Sequence, residues 1–276
     1  MLMRSAESLR RVSDSPEIDV ALLLGNALAC TRTTVMAHPE RALDPAQRQQ
    51  FDADLQRRRQ GEPMAYILGK KAFWDFEVKV DSRVLIPRPE TELLVERALD
   101  CLRGREQENL KLLDLGTGSG AIAFALARHS SCWQVLATDQ SEASLTLAAE
   151  NAGMLDVKNV EFVTGSWLEP LAGSRFDLIV SNPPYIAAGD PHLQEHGLPF
   201  EPAQALIAAE GGFACLLEIV NRARDFLNPD AWLLLEHGAT QGAALAASMS
   251  ANCYREVTGW RDLAGLDRVT GARFER

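Results

Sequence analysis

The sequence lacks a long apolar run and a recognisable leader. No hydrophobic stretch approaches the roughly 18 residues that a membrane-spanning helix needs, which argues against an integral membrane protein. The first eleven residues carry three arginines and one glutamate, with neither an apolar core nor a small-residue cleavage site. We therefore expect no secretory signal, no membrane partner and a cytoplasmic location.

The five cysteines and the histidines lack a metal-binding pattern. The cysteines are scattered without a Cys-x-x-Cys pair, which disfavours zinc, dithiol redox chemistry and a disulfide framework. None follows a proline, so the Pro-Cys nucleophile typical of cytosine C5-methyltransferases is missing. His192 and His196 stand four apart, but no third ligand has metal spacing. We expect reduced cysteines and no metal site.

Positive charge is scarce in most of the chain. The net charge is −10, and residues 73–276 hold 17 basic against 29 acidic side chains. A protein that neutralises phosphates would need a basic stripe, so we expect no direct nucleic-acid contact. The acidic surface suits a basic protein partner, with solubility alone as the alternative. The run Arg57-Arg58-Arg59 is typical of a solvated helix face, with partner contact as the alternative.

The pattern of apolar residues changes along the chain and divides it into three parts. Apolar side chains recur at spacings of three and four between Ile18 and Leu28, which predicts an amphipathic helix among several short helices. Residues 73–86 alternate like strands and predict a hairpin with its turn at Asp81-Ser82. We predict three parts: a helical domain at 1–72, a β-hairpin linker at 73–88 and an α/β domain at 89–276.

From residue 110 strand and helix patterns alternate, which predicts a mostly parallel sheet covered on both faces. The predicted strands lie near 110–115, 133–138, 160–163, 176–181, 231–236, 253–259 and 268–274. The predicted helices lie near 90–102, 120–129, 141–152, 211–227 and 239–250. Only about nine residues separate the last two strands, too few for a parallel crossover, so we expect them to pair antiparallel.

A glycine-rich loop follows the first of these strands. It consists of Gly116, Thr117, Gly118, Ser119 and Gly120. Glycines let the backbone turn sharply and approach a ligand, and the helix that follows offers unpaired N–H groups to an anion. The loop is therefore a candidate cofactor cradle. It also fits the dinucleotide fingerprint, so an NAD-binding oxidoreductase is an alternative.

Two further residues are candidates for contact with an adenosine cofactor. Asp139 ends the second strand, where a carboxylate can accept hydrogen bonds from both ribose hydroxyls. The alternative is that Asp139 or Ser141 only caps the next helix. The order of strand, loop, helix and acid favours the ribose interpretation. Trp167 follows the third strand and could pack on adenine, although the residue by itself indicates only an anchoring side chain.

The fourth strand runs into Asn182, Pro183, Pro184 and Tyr185. A rigid turn is the simple interpretation, but the position at the carboxyl edge of the sheet, opposite the glycine loop, favours a site. An amide nitrogen is a poor nucleophile because its lone pair is delocalised. The Asn182 side-chain oxygen and the Pro183 main-chain oxygen could accept its two N–H bonds, while the Tyr185 ring lies against the flat group. This pattern predicts methylation of a planar nitrogen without a strong base.

The chain resembles the PrmC (HemK) family, which methylates the glutamine of class-1 peptide chain release factors. The motifs that carry the resemblance are Arg59, Gly61, Pro63, Tyr66, Ile67 and Gly69, then Leu85 to Glu92, Gly116 to Gly120, Asp139, Trp167, Asn182 to Tyr185, Glu201-Pro202 and Asp267-Arg268. They span essentially the whole chain. One departure is Asp230-Ala231, where the family usually has glycines, so we expect an altered turn there.

The resemblance implies a Rossmann-like, class I S-adenosylmethionine-dependent methyltransferase sheet of seven strands behind a helical substrate-recognition domain. It implies cofactor contacts at Gly116 to Gly120, Asp139, Trp167 and Asn182, and a catalytic role for Asn182 to Tyr185. It also implies that the substrate is the glutamine of the Gly-Gly-Gln motif of release factors, methylated on its side-chain nitrogen (N5). We expect a monomeric enzyme.

Three alternatives stay open at this stage. Adenine N6 DNA methyltransferases share an Asn-Pro-Pro-Tyr element, but they flip bases out of a duplex that an acidic domain would repel. A glutamine methyltransferase of a large-subunit ribosomal protein is nearer, although Pro89 to Glu92 looks more like the release-factor enzyme. An NAD-binding oxidoreductase leaves residues 182–185 unexplained.

Overall fold

The computed structural model describes residues 2–195 and 197–275, which form two units. The first unit consists of the described residues up to Lys70 together with those of Pro191–Phe200. The second unit consists of Lys71–Asp190 and the described residues from Glu201 onward. The sequence had indicated that residues 191–200 belong to the α/β domain. In the first unit the backbone at Gly197 passes so close to Pro63 that an added Cβ would lie 2.8 Å from its Cγ. Nothing local in the sequence signals this contact.

The first unit is built from short helices: α1 (Leu2–Glu7), α2 (Pro16–Ala27), α3 (Arg32–Ala37), α4 (Pro45–Arg59) and α5 (Met64–Leu68). Asp44 begins α4 with a reciprocal capping box to Gln47, which explains the predicted break. Val20, Leu23 and Phe51 are fully buried in the core of this unit. The face predicted for α2 is partly wrong, because Ile18 is 43% exposed. Within the described residues no helix combines the length and apolarity that crossing a bilayer requires.

The arginines at the end of α4 are engaged within the same unit. The Arg58 guanidinium pairs with Asp19 at 2.7 Å and donates to the main-chain oxygen of Val12 at 2.8 Å. Arg57 pairs with Glu62 at 2.5 Å. The interpretation as a purely solvated face is therefore wrong for these two residues, which join α2 and α4 and the chain that follows α4.

A two-stranded hairpin of β1 (Lys70–Phe73) and β2 (Phe76–Lys79) comes next. The turn of this hairpin is at Trp74 and Asp75. A turn is also present at Asp81-Ser82, where the Val84 N–H donates to the Asp81 main-chain oxygen at 3.1 Å, but it does not join the two strands as predicted. Val84 and Ile86 are buried as their alternation suggested, but they do not form a strand. The reason is that the Ile86 N–H donates to the Glu201 carboxylate at 3.0 Å instead of to a neighbouring strand.

The second unit contains the seven-stranded sheet. Its elements after the hairpin are α6 (Thr91–Cys101), β3 (Lys111–Leu115), α7 (Ala121–His129), β4 (Gln134–Asp139), α8 (Glu142–Met154), β5 (Val160–Thr164), β6 (Phe176–Ser181), β7 (Ile186–Ala187), β8 (Ile207–Ala208), α9 (Ala209–Gly212), α10 (Ala214–Ala223), β9 (Leu227–Glu236), α11 (Gly242–Ala251), β10 (Tyr254–Arg261) and β11 (Asp267–Phe274). The strand order is β10-β11-β9-β6-β3-β4-β5.

Most neighbouring strands of this sheet are parallel, and the exceptions lie at one side. β10 pairs antiparallel with β11, which pairs antiparallel with β9. The predicted antiparallel pairing of the last two strands is thus confirmed. The central strands β3 and β6 and the last four residues of β9 are almost entirely buried, as expected for a sheet covered on both faces. β7 and β8 form a separate two-stranded pair.

The predicted altered turn at Asp230 is a backbone irregularity inside β9. Asp230 has a φ of 64°, in the left-handed region that favours glycine. The register between β6 and β9 shifts between Phe176 and Leu178, opposite this point. The Asp230 carboxylate pairs with the half-exposed Arg273 at 3.3 Å.

We expect Asp230→Gly to raise the free energy of unfolding. Removing the Cβ relieves about 1 kcal/mol of left-handed strain, and the exposed ion pair offsets less than that. Urea denaturation measures the change. Asp230→Asn is the matched control, because it removes the charge and keeps the Cβ. A glycine variant no more stable than the asparagine variant would show that the strain is not there.

Candidate active site

Three parallel strands bring the predicted site residues to one edge of the sheet. Leu115 on β3 is in register with Thr138 on β4 and with Ser181 on β6. Gly116, Asp139 and Asn182 come directly after these three positions. They therefore meet at the carboxyl edge, where open α/β sheets bind their ligands.

The glycine loop is held against β4 by main-chain hydrogen bonds. The N–H groups of Gly116 and Thr117 both donate to the main-chain oxygen of Thr138, at 2.8 and 2.9 Å. Gly116 has a φ of 71°, and an added Cβ there would lie 3.5 Å from the Trp167 ring. The positive φ of the turn is therefore what favours glycine here, since a Cβ would be in ordinary van der Waals contact with Trp167.

A buried acid lies under this loop. The Thr117 hydroxyl donates to Asp114 Oδ2 at 2.6 Å, and Asp114 is fully buried at the end of β3. Burial raises the pKa of Asp114 to about 7, against the opposing effect of that hydrogen bond. Thr117 and Ser119 are themselves buried, so their side chains support the loop from below.

Asp139 joins the glycine loop to the start of α8. Its Oδ2 accepts the Gly118 N–H at 3.0 Å, and its Oδ1 accepts the Ser141 N–H at 2.9 Å. Burial raises the pKa of Asp139, while these N–H groups act in the opposite direction. Ser141, not Asp139, caps α8 by accepting from the Ser144 N–H. A carboxylate has about four acceptor sites, so Asp139 can still accept from a ligand.

Asn182 presents a free acceptor. Its Nδ2 donates to Thr91 Oγ1 at 3.1 Å, and its Oδ1 is buried without a hydrogen-bond partner. A buried carbonyl oxygen without a donor is costly. Asn182 Oδ1, which accepts no hydrogen bond within the described residues, is therefore the atom for which the sequence predicts a contact with a substrate N–H group.

Tyr185 and Glu236 meet behind this motif. The Tyr185 hydroxyl donates to Glu236 Oε1 at 3.3 Å. Glu236 ends β9 and is fully buried, and burial raises its pKa to about 7. Burial also raises the pKa of Tyr185 well above its ordinary value. Glu236 was not recognised from the sequence, although an acid at the carboxyl end of an apolar strand is a usable signal.

A cavity of about 280 Å³ opens between these elements. The predicted residues that line it are Gly116, Gly118, Asp139, Trp167, Asn182 and Pro184. Thr117, Ser119, Gly120, Pro183 and Tyr185 do not line it, and Tyr185 packs against the core of the sheet. The volume is close to the lower end of the range for small-molecule sites, about 300 Å³.

Sequence reasoning from single residues missed the part of the cavity wall that comes from the linker and from residues 201–208. Arg83, Leu85, Pro202 and Gln204 line the cavity. These segments are joined because the buried Glu201 carboxylate accepts from the Ile86 N–H and the Arg88 guanidinium. The signal was the Glu201-Pro202 motif, which had appeared only in the family resemblance.

The alternative metal site has no support in the described residues. His196 lies outside them, and in 2–195 and 197–275 no three His, Cys, Asp or Glu side chains are grouped to hold an ion. The groups that line the cavity include amide, carboxylate and indole side chains, which suit a nucleoside.

Comparison with known proteins covers both parts of the chain. Residues 1–69 match the family model described as PrmC N-terminal domain, and residues 106–262 match the model described as Methyltransferase domain. A release factor glutamine methyltransferase of Salmonella typhimurium is 45% identical over 272 residues, covering 99% of this chain and 97% of the relative. That of Coxiella burnetii is 44% identical over 268 residues, covering 97% and 95%.

A solved methyltransferase from Pyrococcus furiosus has a similar fold. It superposes with a TM-score of 0.55 and 20% sequence identity, over 74% of this chain and 91% of that chain. At this identity the likeness concerns the fold alone.

Proposed function

Because the chain belongs to the family of release factor glutamine methyltransferases, we propose that it methylates the side-chain nitrogen N5 of the glutamine in the Gly-Gly-Gln motif of class-1 peptide chain release factors. Family membership confirms the predicted class I methyltransferase fold, the enzyme class and S-adenosylmethionine as cofactor. It removes the NAD-binding oxidoreductase from consideration. The roles of individual residues below are our proposals.

The observation that carries the proposal is the free Oδ1 of Asn182. A glutamine side-chain NH2 group offers two donors, and Asn182 Oδ1 is a buried acceptor without a partner at the edge of the cavity. In our proposal it accepts one N–H and the Pro183 main-chain oxygen accepts the other. The two bonds fix the nitrogen and bias it toward a pyramidal shape. Tyr185 does not line the cavity, so the predicted contact of its ring with the flat face of the amide has no support in the cavity wall.

The cofactor fits the residues present. We assign the cradle to Gly116 through Gly120, the ribose hydroxyls to Asp139 and the adenine to Trp167. Gly116 has a φ of 71°, which favours glycine at this turn, and its backbone lies against the Trp167 ring. When bound, S-adenosylmethionine supplies an electrophilic methyl group. The chain holds the amide nitrogen in line with it and excludes competing water.

The reaction needs no strong base from the chain. An amide nitrogen that has gained a methyl group is strongly acidic at its remaining protons, so it can release one to solvent. Asp139 accepts from the N–H groups of Gly118 and Ser141, and Asp114 Oδ2 accepts from the Thr117 hydroxyl beneath the loop. The contribution of the chain is thus positioning rather than proton transfer.

In this proposal, residues outside the active site select the protein substrate. We assign release-factor recognition to the helical domain, residues 1–72, whose first 69 residues match the PrmC N-terminal model. We assign residues 73–88 to the linker and 89–276 to the methyltransferase domain, except that the described residues of Pro191–Phe200 belong to the first unit. We propose a cytoplasmic monomer without nucleic-acid partners, in keeping with five free thiols and the acidic charge of residues 73–276.

Methyl transfer to a purified release factor tests the proposal. We expect labelled methyl groups to pass from S-adenosylmethionine to the wild-type factor, and none to a factor with asparagine in place of the motif glutamine. Asparagine carries the same amide on a shorter stem, so it cannot bring its nitrogen to Asn182. Mass spectrometry of the digested factor locates the methyl group.

Two parallel reactions address the rival functions. A large-subunit ribosomal protein and duplex DNA replace the release factor under the same conditions. Labelling of either in preference to the factor, or equal labelling of the glutamine and asparagine factors, would contradict the assignment.

A further inference from the structure

We propose that Thr91 and Glu236 are positioning residues that fix which end of the Asn182 amide faces the substrate; the inference rests on the proposed function only for its kinetic readout. An asparagine amide can sit in two orientations that differ by exchange of oxygen and nitrogen. Only one of them presents an acceptor to a substrate NH2 group. Something in the site must therefore choose between them.

The first observation is the hydrogen bond between the side chains of Asn182 and Thr91. Asn182 Nδ2 donates to Thr91 Oγ1 at 3.1 Å, which turns Oδ1 away from Thr91. Thr91 is buried at the first residue of α6, so water cannot replace it as an acceptor. However, a hydroxyl can also donate. If its proton pointed at Asn182, the opposite amide orientation would be favoured.

The second observation concerns the carboxylate toward which the Thr91 hydroxyl would point its hydrogen. Glu236 follows Leu235, which is in register with Ser181 just before Asn182. Glu236 Oε1 accepts from Tyr185, and Oε2 is buried without a hydrogen-bond partner in the described residues. A carboxylate can only accept. In our proposal the Thr91 hydroxyl, which acts to lower the pKa of Glu236, turns its proton toward this unpaired oxygen and leaves its lone pairs for Asn182.

The surroundings of Glu236 allow both the charged and the protonated form of its carboxyl group near neutral pH. Burial raises its pKa to about 7, and the Thr91 hydroxyl, the positive Arg268 and the Tyr185 hydroxyl favour the charged form. Glu90, at the start of α6, disfavours it. As pH falls below about 7 Glu236 gains a proton, can donate toward Thr91, and no longer fixes its direction.

Substitutions at Thr91 separate the hydroxyl from packing. We expect Thr91→Val, which keeps the shape, to lower kcat by about tenfold or more, the effect of one misdirected hydrogen bond. KM for the release factor and the dissociation constant of S-adenosylmethionine should change less than about twofold. Thr91→Ser should recover most of the loss. Ser130→Ala is the matched control, since it removes a buried hydroxyl bonded to Glu106 at the opposite edge of the sheet.

The pH profile gives a second kinetic readout. Wild-type kcat should fall as pH decreases through about 7, the value to which burial raises the pKa of Glu236. Glu236→Gln cannot titrate at this position, so its limb should be shallower than that of the wild type, in which burial raises the pKa of Asp114 to about 7 as well. The same limb in both enzymes, full activity of Thr91→Val, or a serine variant as slow as the valine variant would each overturn the proposal.

A readout without turnover keeps the inference separate from the proposed function. In ¹⁵N-labelled protein the side-chain NH2 resonance of Asn182, identified by its loss in Asn182→Asp, should shift in Thr91→Val and Glu236→Gln. It should stay in place in Ser130→Ala. An unshifted resonance would overturn the positioning role even in an active enzyme. A shifted one would support it even if the release factor were not the substrate.

Discussion

Asn182→Ala is expected to lower kcat by about 10²–10³-fold, the loss typical when one preorganised hydrogen-bonding group is removed from an active site. The substitution removes the buried Oδ1, which has no partner within the described protein, and leaves the substrate nitrogen without one of its two acceptors. S-adenosylmethionine should still bind, more weakly by no more than about tenfold. Single-turnover methyl transfer and calorimetric titration of the cofactor measure the two effects.

Asn159→Ala is the matched control for this prediction. The Asn159 side chain donates to the main-chain oxygens of Ala127, Ser130 and Trp133, at the opposite edge of the sheet. We expect it to lower stability and leave kcat of the folded enzyme unchanged. An Asn182→Ala enzyme that keeps a tenth or more of its turnover would remove Asn182 from the mechanism.

Gly120→Ala is expected to destabilise the second unit and weaken cofactor binding together. Gly120 has a φ of 87° at the start of α7, and an added Cβ would overlap the ring of Phe124. Phe124 is fully buried, so it cannot move aside. Strain and overpacking together cost about 3 kcal/mol, or roughly 10 °C in Tm for a domain of about 200 residues. Cofactor affinity should fall at least about tenfold, since the loop must shift.

Gly104→Ala is the control for this substitution. Gly104 has nearly the same φ, 86°, but an added Cβ there would meet no atom within 4 Å. It therefore reports the cost of the left-handed backbone alone, about 1 kcal/mol. Equal losses of Tm in the two alanine variants would show that the contact with Phe124 does not matter. Calorimetry and cofactor titration of both proteins decide the question.

The sheet was the most predictable part of the fold. Apolar runs at 111–115 and 176–181 are long enough and buried enough to be recognised as central strands. The short connection before β11 determined its antiparallel pairing. In contrast, the alternation of Val84 and Ile86 predicted a strand that does not exist, because alternate burial does not require a neighbouring strand. Here a side-chain carboxylate, that of Glu201, takes the place of the strand.

The sequence by itself determined the chemistry of the site: a glycine loop, an acid after the second strand and Asn-Pro-Pro-Tyr after the fourth. Each follows a strand directly, so local order is enough to place it at the carboxyl edge. Only the tertiary structure decided which atom of Asn182 is free, since that depends on its hydrogen bond to Thr91, 91 positions away. Hydrogen bonds between side chains that are far apart in the sequence follow no periodic pattern, so the sequence does not predict them.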